Sequence, residues 1–230
     1  MERLILFDID GTLTRTQNGY LPFNQAVFTT FGIPGDIRTV VPDGNTDPRI
    51  VQDIFIAANV NIEVDPGQWE AFATMLEQCY SAAVLAGTVV VRSLPGAAEL
   101  LRALRQLDEF SASVVTGNYE QIARVKLKTA GLDGFLCRGA YGSDSPHRPD
   151  LPGVARRRWE SFSGQSISPE QCIIVGDTSK DLEAARTNGM KCVLVGTGRY
   201  PVEELLLHSP DACLADLCDT AEVLQTLKRL

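Results

Sequence analysis

The chain has 230 residues, of which 44% are hydrophobic and 22% charged, and its formal net charge is −8 at pH 7. A chain of this length can bury a sizeable core, as one domain with an insertion or as two modest domains. The acidic balance argues against broad nucleic-acid binding, which depends on clustered Lys and Arg.

No apolar run approaches the ~20 residues that a membrane helix needs. Only four apolar residues lie between Arg3 and Asp8, which is too short a run for a signal peptide. We therefore expect a soluble, cytoplasmic protein.

The cysteines give the same expectation. They are scattered, and no two of them form a Cys-x-x-Cys pair. A reduced protein without structural zinc is the interpretation that this pattern favours. The residues concerned are Cys79, Cys137, Cys172, Cys192, Cys213 and Cys218.

Residues 3–14, RLILFDIDGTLT, form the first predicted strand and turn. The unbroken apolar run before Asp8 is typical of a parallel strand that is buried on both faces. Asp8 and Asp10 are two positions apart, so in an extended chain their side chains point toward the same side, just past the end of the strand. The alternative is that Asp10 and Gly11 form an ordinary turn capped by Asp8. Because ligands of open α/β sheets bind beyond the carboxyl ends of the strands, we favour a chemical role for both acids.

Three helical patterns follow, with apolar residues at spacings of three and four. They cover residues 22–31, 48–60 and 66–85. A crossover between parallel strands usually needs one helix, so three in succession indicate an inserted helical cap. We predict a cap over residues 15–90 and a core formed by residues 1–14 and 91–230.

Strands and helices alternate again after Pro95. Predicted helices cover residues 96–107, 119–130, 150–162, 179–188 and 219–230, and predicted strands cover residues 112–115, 134–137, 172–175 and 192–195. This alternation predicts an α/β fold with a Rossmann-like, doubly wound parallel sheet and helices on both of its faces. The all-helical cap is inserted into that core.

Polar residues follow the predicted strand at residues 112–115. Thr116 comes first, and Gly117 and Asn118 come after it. The alternative to a functional role is that Thr116 only caps the next helix, as Thr often does.

A second pair of acids follows the predicted strand at residues 172–175. If a helix begins near Thr178, Asp177 and Asp181 lie about one turn apart and can face the same space. The alternative is that Asp177 caps this helix and Asp181 is solvated.

These segments together resemble the haloacid dehalogenase-like superfamily of phosphohydrolases. FDIDGTLT is similar to its first motif, an Asp-x-Asp-Gly-Thr pattern after an apolar strand. Thr116 lies where the second motif has a Ser or Thr, and VGDTSKDLEAAR resembles the fourth motif, Gly-Asp-x-x-x-Asp. The resemblance covers nearly the whole chain and is nearest the phosphoglycolate phosphatase-like branch. It implies an enzyme, a phosphatase that acts on a small organic phosphomonoester.

The resemblance also implies catalytic roles. Asp8 attacks phosphorus and forms an aspartyl phosphate. Asp10 protonates the leaving alkoxide and later takes a proton from water, for which we expect a raised pKa. The hydroxyl of Thr116 and nearby main-chain groups at Gly117 and Asn118 hold the phosphoryl oxygens.

A divalent cation is part of the implied chemistry, since a carboxylate does not approach a phosphate dianion unaided. Side chains of Asp8, Asp177 and Asp181, with the main-chain carbonyl of Asp10, offer hard oxygen ligands. Such ligands suit Mg²⁺, which bridges to substrate phosphate.

The third motif of the superfamily is a basic residue, for which Arg148 is the best match. Many relatives carry Lys-Pro at this point, so Arg148 departs from the common pattern. Arg keeps its charge and can donate two hydrogen bonds to a phosphoryl group. Arg157 and Lys126 are rivals, although either would ordinarily be a solvated charge.

The segment PDGNTD before the second predicted helix resembles a segment that faces the active site in phosphoglycolate phosphatase-like relatives. By that resemblance, Asn45, Thr46 and Arg49 contact the organic part of the substrate, and the loop closes over the site. The alternative is a simple loop in which Thr46 or Asp47 caps the following helix.

Two features narrow the reaction. Lys126 is the first lysine of the chain, so the cap lacks the Schiff-base amine of phosphonoacetaldehyde hydrolases. Asp10 is the second acid that haloacid dehalogenases lack. A phosphosugar mutase and a non-catalytic protein that binds a phosphorylated metabolite stay open as alternatives. We expect a small phosphorylated metabolite as the partner and a monomer or homodimer, and the substrate itself stays open.

Overall fold

A computed structural model describes residues 2–136 and 138–230 of the chain. Within these residues the strands are β1 (Arg3–Phe7), β2 (Thr14–Gln17), β3 (Val90–Ser93), β4 (Phe110–Val114), β5 (Cys172–Gly176), β6 (Lys191–Val195) and β7 (Ala212–Leu214). The helices are α1 (Tyr20–Phe31), α2 (Asp47–Ala57), α3 (Pro66–Leu85), α4 (Ala97–Leu104), α5 (Glu120–Thr129), α6 (Leu151–Ser163), α7 (Ser179–Thr187), α8 (Val202–Leu206) and α9 (Thr220–Arg229).

The main sheet has five strands in the order β4-β1-β5-β6-β7, and the paired strands are parallel. Its first strand, β1, lies between β4 and β5, so both of its edges are hydrogen-bonded. The predicted Rossmann-like parallel sheet is therefore confirmed. Because the strands are parallel, their carboxyl ends meet along one edge of the sheet.

Both faces of β1 are buried, as its unbroken apolar run predicts. Ile5 and Phe7 pack in a core with α4, α5 and α9. Leu4 and Leu6 point to the opposite face and pack in a second core with α6 and α7. Successive side chains of a strand alternate between faces, so one short run supplies two hydrophobic cores.

A third apolar cluster holds together α1, α2 and α3, which form the helical cap. Aromatic rings make up much of this cluster, and Phe72 lies at its centre. Its ring is 5.7 Å from that of Phe23 within the cap and 5.9 Å from that of Tyr119, which precedes α5. The cap is thus in direct contact with the start of α5.

The chain enters and leaves the cap through β2 and β3, which form an antiparallel ribbon that the sequence analysis did not predict. Short strands with little alternation of polarity, such as TRTQ, carry a weak signal because strand propensity depends on the partner strand. The edge strand β7 and helix α8 were missed for the same lack of length.

The strand predicted over residues 134–137 is wrong over its described part. Residues 134–136 form a turn, and Cys137 lies outside the described residues. Ala140 makes an isolated parallel bridge to Val115 instead. Among the described cysteines, Cys79, Cys172, Cys192, Cys213 and Cys218 are free thiols.

No helix in the described ranges 2–136 and 138–230 has both the length and the apolar character needed to cross a bilayer.

Candidate active site

The site begins where β1, β4 and β5 end side by side. The amide of Asp8 donates to the carbonyl of Val175 at 2.9 Å, and the amide of Val115 donates to the carbonyl of Phe7 at 2.9 Å. The residues that follow these strands are therefore neighbours at one edge. This arrangement brings Asp8, Thr116 and Asp177 together, as the order of the motifs predicts.

Asp8, Asp177 and Asp181 form a compact acidic cluster. One carboxylate oxygen from each lies within 4.8 Å of the others. The three residues are only 5%, 4% and 1% exposed. Such a group of buried, hard oxygen donors is the chemistry of a divalent-cation site.

The acids of the cluster repel one another. Burial and the neighbouring charges of Asp8 and Asp181 raise the pKa of Asp177 to about 9. Burial likewise raises the pKa of Asp8 to about 6, although the Arg148 guanidinium opposes this rise. A cation between the carboxylates would relieve this repulsion, so the donor set fits a divalent metal ion.

The turn after β1 packs directly against the loop after β5, where Gly11 meets the side chain of Asp177. Gly11 has a φ of +82°, and a Cβ at this position would overlap the carboxylate of Asp177. Glycine alone combines this backbone conformation with so close an approach. Thr12 donates from its hydroxyl to Asp177 at 3.4 Å.

Asp181 is held by the start of α7. Its Oδ2 accepts from the amide of Thr178 at 3.0 Å and from the Thr178 hydroxyl at 2.7 Å, which is half of a capping box. Asp181 is therefore neither solvated nor free to turn away from Asp8. The predicted spacing of one helical turn between Asp177 and Asp181 is confirmed by their membership of one cluster.

Arg148 is the basic residue nearest the cluster. Its buried guanidinium lies 3.3 Å from Asp8 and forms an ion pair with Asp181. This geometry agrees with the choice of Arg148 for the third motif. Arg157 lies elsewhere, in a separate surface groove beside Arg138 and Phe162.

Asp10 lies outside the acidic cluster and has its own partners. Its carboxylate accepts from Lys126 Nζ at 2.5 Å and from Asn118 Nδ2 at 2.8 Å. Asn118 Oδ1 in turn accepts from Lys126 Nζ at 2.7 Å, which closes a triangle of polar contacts. The side chain of Asp10 is not a member of the group of possible metal ligands, and the role of its main-chain carbonyl stays a prediction.

The expected rise in the pKa of Asp10 is wrong for the free protein. Burial acts to raise this pKa, but the charge of Lys126 and hydrogen bonds from Lys126, Asn118 and Thr16 outweigh burial and lower it. The carboxyl is ionised because an ammonium lies against it.

Sequence reasoning named Lys126 only as a rival for the third motif and missed its contact with Asp10. The sequence does contain a signal that Lys126 is buried and needs a partner. The buried residues of α5 are Ile122, Ala123, Lys126 and Leu127, so this lysine occupies a core position of an amphipathic helix. A lysine there needs a partner, because an unpaired buried charge is costly.

Thr116 is fully buried and does not cap α5. Its hydroxyl oxygen accepts from Asn118 Nδ2 at 2.9 Å, and Thr116 itself lines the cavity described below. Gly117 follows, and a Cβ at this position would overlap the carbonyl of Asn45 and the Cα of Thr46. The absence of a side chain lets the cap segment lie directly on the loop after β4.

That cap segment is joined to the core by Asp47. The amide of Asp47 donates to the Gly117 carbonyl at 2.8 Å, and its carboxylate accepts from the amide of Tyr119 at 2.8 Å. Asp47 thus accepts a hydrogen bond from an amide at the start of α5 that has no partner within the helix. Burial raises the pKa of Asp47 to about 6.

The structure does not support a substrate contact from Thr46. Its hydroxyl donates to the carbonyl of Pro146 at 2.7 Å and accepts from the amide of Arg49, which makes it the N-cap of α2. Asn45 lines the cavity and accepts from Lys180. Arg49 pairs with Asp53 at 2.9 Å and lies in a smaller groove with Thr46. Of the three predicted cap contacts, only Asn45 faces the main cavity.

The main cavity has a volume of about 710 Å³ and lies between the cap and the carboxyl edge of the sheet. Asp8, Asp10, Thr116, Arg148 and Asp177 line it from the sheet side. The residues that sequence analysis assigned to catalysis therefore line one cavity. The arrangement can hold an anion beside a metal ion and a carboxylate nucleophile.

Comparison with known proteins agrees with this chemistry. A family model for haloacid dehalogenase-like hydrolases matches residues 2–189. The chain belongs to this family. The predicted resemblance is thereby confirmed, and so is the expectation of an enzyme.

Several known proteins are similar to this chain over nearly their whole length. A 5′-nucleotidase of Pseudomonas aeruginosa is 27% identical over 227 residues, which cover 96% of this chain and 95% of the relative. A phosphoglycolate phosphatase of Thiobacillus denitrificans is 26% identical over 226 residues, covering 95% and 94%. The crystal structure of a hydrolase from Pseudomonas syringae has the same fold, with a TM-score of 0.70, 23% identity and 98% coverage of both chains.

Proposed function

We propose that this protein is a Mg²⁺-dependent phosphatase that hydrolyses a small organic phosphomonoester through an aspartyl phosphate on Asp8. The observation that carries the proposal is the convergence of Asp8, Asp177 and Asp181 within 4.8 Å, with Arg148 against two of them. The relatives named as a 5′-nucleotidase and as phosphoglycolate phosphatases support the substrate class.

Each part of phosphoryl transfer has a candidate group. Asp8 attacks phosphorus, and the Arg148 guanidinium orients it and balances negative charge. Thr116 and the main chain of Gly117 and Asn118 bind the phosphoryl oxygens. Mg²⁺, held by Asp8, Asp177 and the main-chain carbonyl of Asp10 with Asp181 nearby, would neutralise charge on the phosphoryl group.

Asp10 is the acid and base of the proposal. In the free protein Lys126 keeps its carboxyl ionised. A bound phosphate dianion raises the pKa of a neighbouring carboxyl, which moves Asp10 toward the protonated form that a leaving alkoxide needs. After ester cleavage the ionised carboxylate takes the proton of the hydrolytic water.

We also propose that residues 15–90 act as a cap domain on a core of residues 1–14 and 91–230. The ribbon of β2 and β3 joins the two parts, and the contacts of Asp47 with Gly117 and Tyr119 hold the cap closed. Opening and closing of such a lid admits substrate and then excludes water.

The Asp8→Asn variant tests the proposal. Phosphate release from p-nitrophenyl phosphate is measured with Mg²⁺ and with EDTA, for the wild type and for Asp8→Asn. We expect activity in the wild type that EDTA abolishes, and a loss of at least about a thousandfold in the variant because the nucleophile is gone. Asp133→Asn makes the same chemical change at an exposed turn and serves as the matched control.

Two outcomes would contradict the proposal. Near-wild-type activity of Asp8→Asn would exclude Asp8 as nucleophile. Transfer of the phosphoryl group within a sugar phosphate, without release of free phosphate, would indicate the mutase. A phosphoryl group found on the Asp8 peptide by mass spectrometry after a rapid quench would support the covalent intermediate.

A further inference from the structure

The two sides of the cavity have contrasting chemistry. The sheet side, which we call the floor, consists of Asp8, Asp10, Thr116, Asn118 and Asp177 with the basic residues beside them. The cap side, which we call the roof, contributes polar residues such as Thr16, Asn18 and Asn45 and also a contiguous set of apolar and aromatic side chains, the apolar patch of the roof. This patch consists of Tyr20, Phe23, Ile37, Val40, Leu76 and Tyr80. A substrate that fits both sides carries its phosphate on the floor and an apolar surface against the roof.

Two basic residues of the cavity lining are already paired with carboxylates. Arg38 pairs with Asp36 at 2.6 Å, and Arg199, at the rim, pairs with Asp43 at 2.9 Å. Arg15, in β2, also lines the cavity and donates to the carbonyl of Thr197 at 2.7 Å. A second anionic group placed beside Arg38 or Arg199 would therefore compete with a carboxylate that already holds that cation.

The volume of the cavity also favours a substrate that is larger than a two-carbon phospho acid. Its volume of about 710 Å³ lies within the range of roughly 300–1,000 Å³ for pockets that enclose drug-sized ligands. A phosphoglycolate molecule would leave most of this volume to water. A phosphate ester with a sugar and a ring would fill it.

Tyr20 and Arg38 provide a planar platform in the roof. The guanidinium carbon of Arg38 lies 4.2 Å from the centre of the Tyr20 ring, so the two groups are already stacked. Aromatic rings and guanidinium planes stack with nucleobases whatever the base, because each base has a π-face. This pair is therefore suited to bind a flat ring rather than a carboxylate.

We infer that the substrate is a nucleoside 5′-monophosphate whose base stacks on Tyr20 and Arg38, rather than a two-carbon phospho acid. This inference rests on the proposed phosphatase function and names its substrate class. The floor holds the phosphate, the sugar spans the cavity, and the base lies against the apolar patch of the roof.

The experiment compares compounds that differ by one part of the ligand. Initial rates with Mg²⁺ give kcat/KM for AMP, CMP, ribose 5-phosphate and phosphoglycolate, with p-nitrophenyl phosphate as a general substrate. We expect kcat/KM for the nucleotides to exceed that for ribose 5-phosphate by at least about tenfold, since a stacked base supplies that much. Phosphoglycolate should be the poorest of the four.

Variants assign the preference to the platform. Tyr20→Ala and, separately, Arg38→Gln should lower the ratio of kcat/KM for AMP to that for ribose 5-phosphate by about tenfold. Phe28→Ala lies on the same helix, is 53% exposed and does not line the cavity, so its ratio should match the wild type. Thermal unfolding of each variant checks that it folds, and the two platform variants provide independent tests.

The experiment distinguishes a failure of this substrate inference from a failure of the proposed phosphatase function. A preference for phosphoglycolate, or a ratio that neither platform variant changes, would overturn the inference and leave the phosphatase function intact. No phosphate release from any compound, including p-nitrophenyl phosphate, would overturn both.

Discussion

Asp177→Asn is expected to stabilise the metal-free protein while removing its response to Mg²⁺. The structure supplies the magnitude. Carboxylate oxygens of Asp8, Asp177 and Asp181 lie within 4.8 Å of one another, and two unit charges at that distance repel by roughly 3 kcal/mol at an effective dielectric constant of about 20. Below pH 9 the folded protein avoids much of this repulsion by keeping Asp177 protonated, which costs free energy because the unfolded chain has released that proton. Replacing Asp177 removes this cost and leaves Asp8 and Asp181 with Arg148 between them.

The pKa of Asp177 determines how this effect varies with pH. Burial and the neighbouring acids raise it to about 9 from an ordinary 3.8, so between these values the folded state binds a proton that the unfolded state has released. The stability contributed by this group is therefore present below pH 4 and is lost as pH rises toward 9. An asparagine side chain does not titrate, so the advantage of the variant should be near zero at pH 4 and should grow as pH rises toward 9.

The assay is thermal unfolding in EDTA and in Mg²⁺ across that pH range. In EDTA at pH 8 we expect the variant to gain at least about 3 kcal/mol, the size of one such pair interaction, which raises Tm by at least roughly 6 °C for a chain of this size. Mg²⁺ at about a hundred times its Kd should add ~2.7 kcal/mol to the wild type and much less to the variant. Asp133→Asn, at an exposed turn, should behave as the wild type.

Two results would refute this reasoning. One is a variant less stable than the wild type in EDTA at pH 8, which would mean that burial and the neighbouring acids do not raise the pKa of Asp177. The other is an equal Mg²⁺ stabilisation of both proteins, which would place the cation away from Asp177.

Three further substitutions probe the neighbouring groups. Asp10→Asn should slow hydrolysis of alkyl phosphates far more than that of p-nitrophenyl phosphate, whose leaving group needs no proton; equal losses in kcat would count against the acid role. Lys126→Met should lower the free energy of unfolding by roughly 1–3 kcal/mol, less than the 3–5 kcal/mol of a fully buried pair, because the Asp10 side chain is 42% exposed. The exposed Lys128→Met on the same helix is its control in chemical denaturation. Asp47→Asn keeps an acceptor for the Tyr119 amide but removes a buried charge whose pKa is raised to about 6 from 3.8. Its stability relative to the wild type should rise from near zero below pH 4 to about 3 kcal/mol above pH 6, and a constant difference across that range would refute the assignment.

The elements with long, regular patterns were predictable. Helix α3 spans Pro66–Leu85, the range that its apolar spacing indicates. Strand β1 and the loops after β4 and β5 were predictable too, because apolar strands that end in polar residues stand out without any tertiary information. Parallel topology then implied that these loops share one edge.

Other features depend on partners that are distant in sequence. The ribbon of β2 and β3 joins residues that are more than seventy positions apart, and neither strand has a strong pattern by itself. The lowered pKa of Asp10 depends on Lys126, which is 116 positions away. Thr46 fits a capping role and a substrate contact equally well in the sequence, and only the position of the Pro146 carbonyl distinguishes them.

The sequence by itself determined the sheet, the inserted helices and the acids at the ends of β1 and β5, because hydrophobic periodicity and motif spacing are local properties of the chain. Only the tertiary structure decided which cation faces which carboxylate, where the cap segment touches the core, and how apolar the roof of the cavity is. Those outcomes depend on the distances between side chains that the fold brings together, and the electrostatic and packing energies of the site depend on those distances.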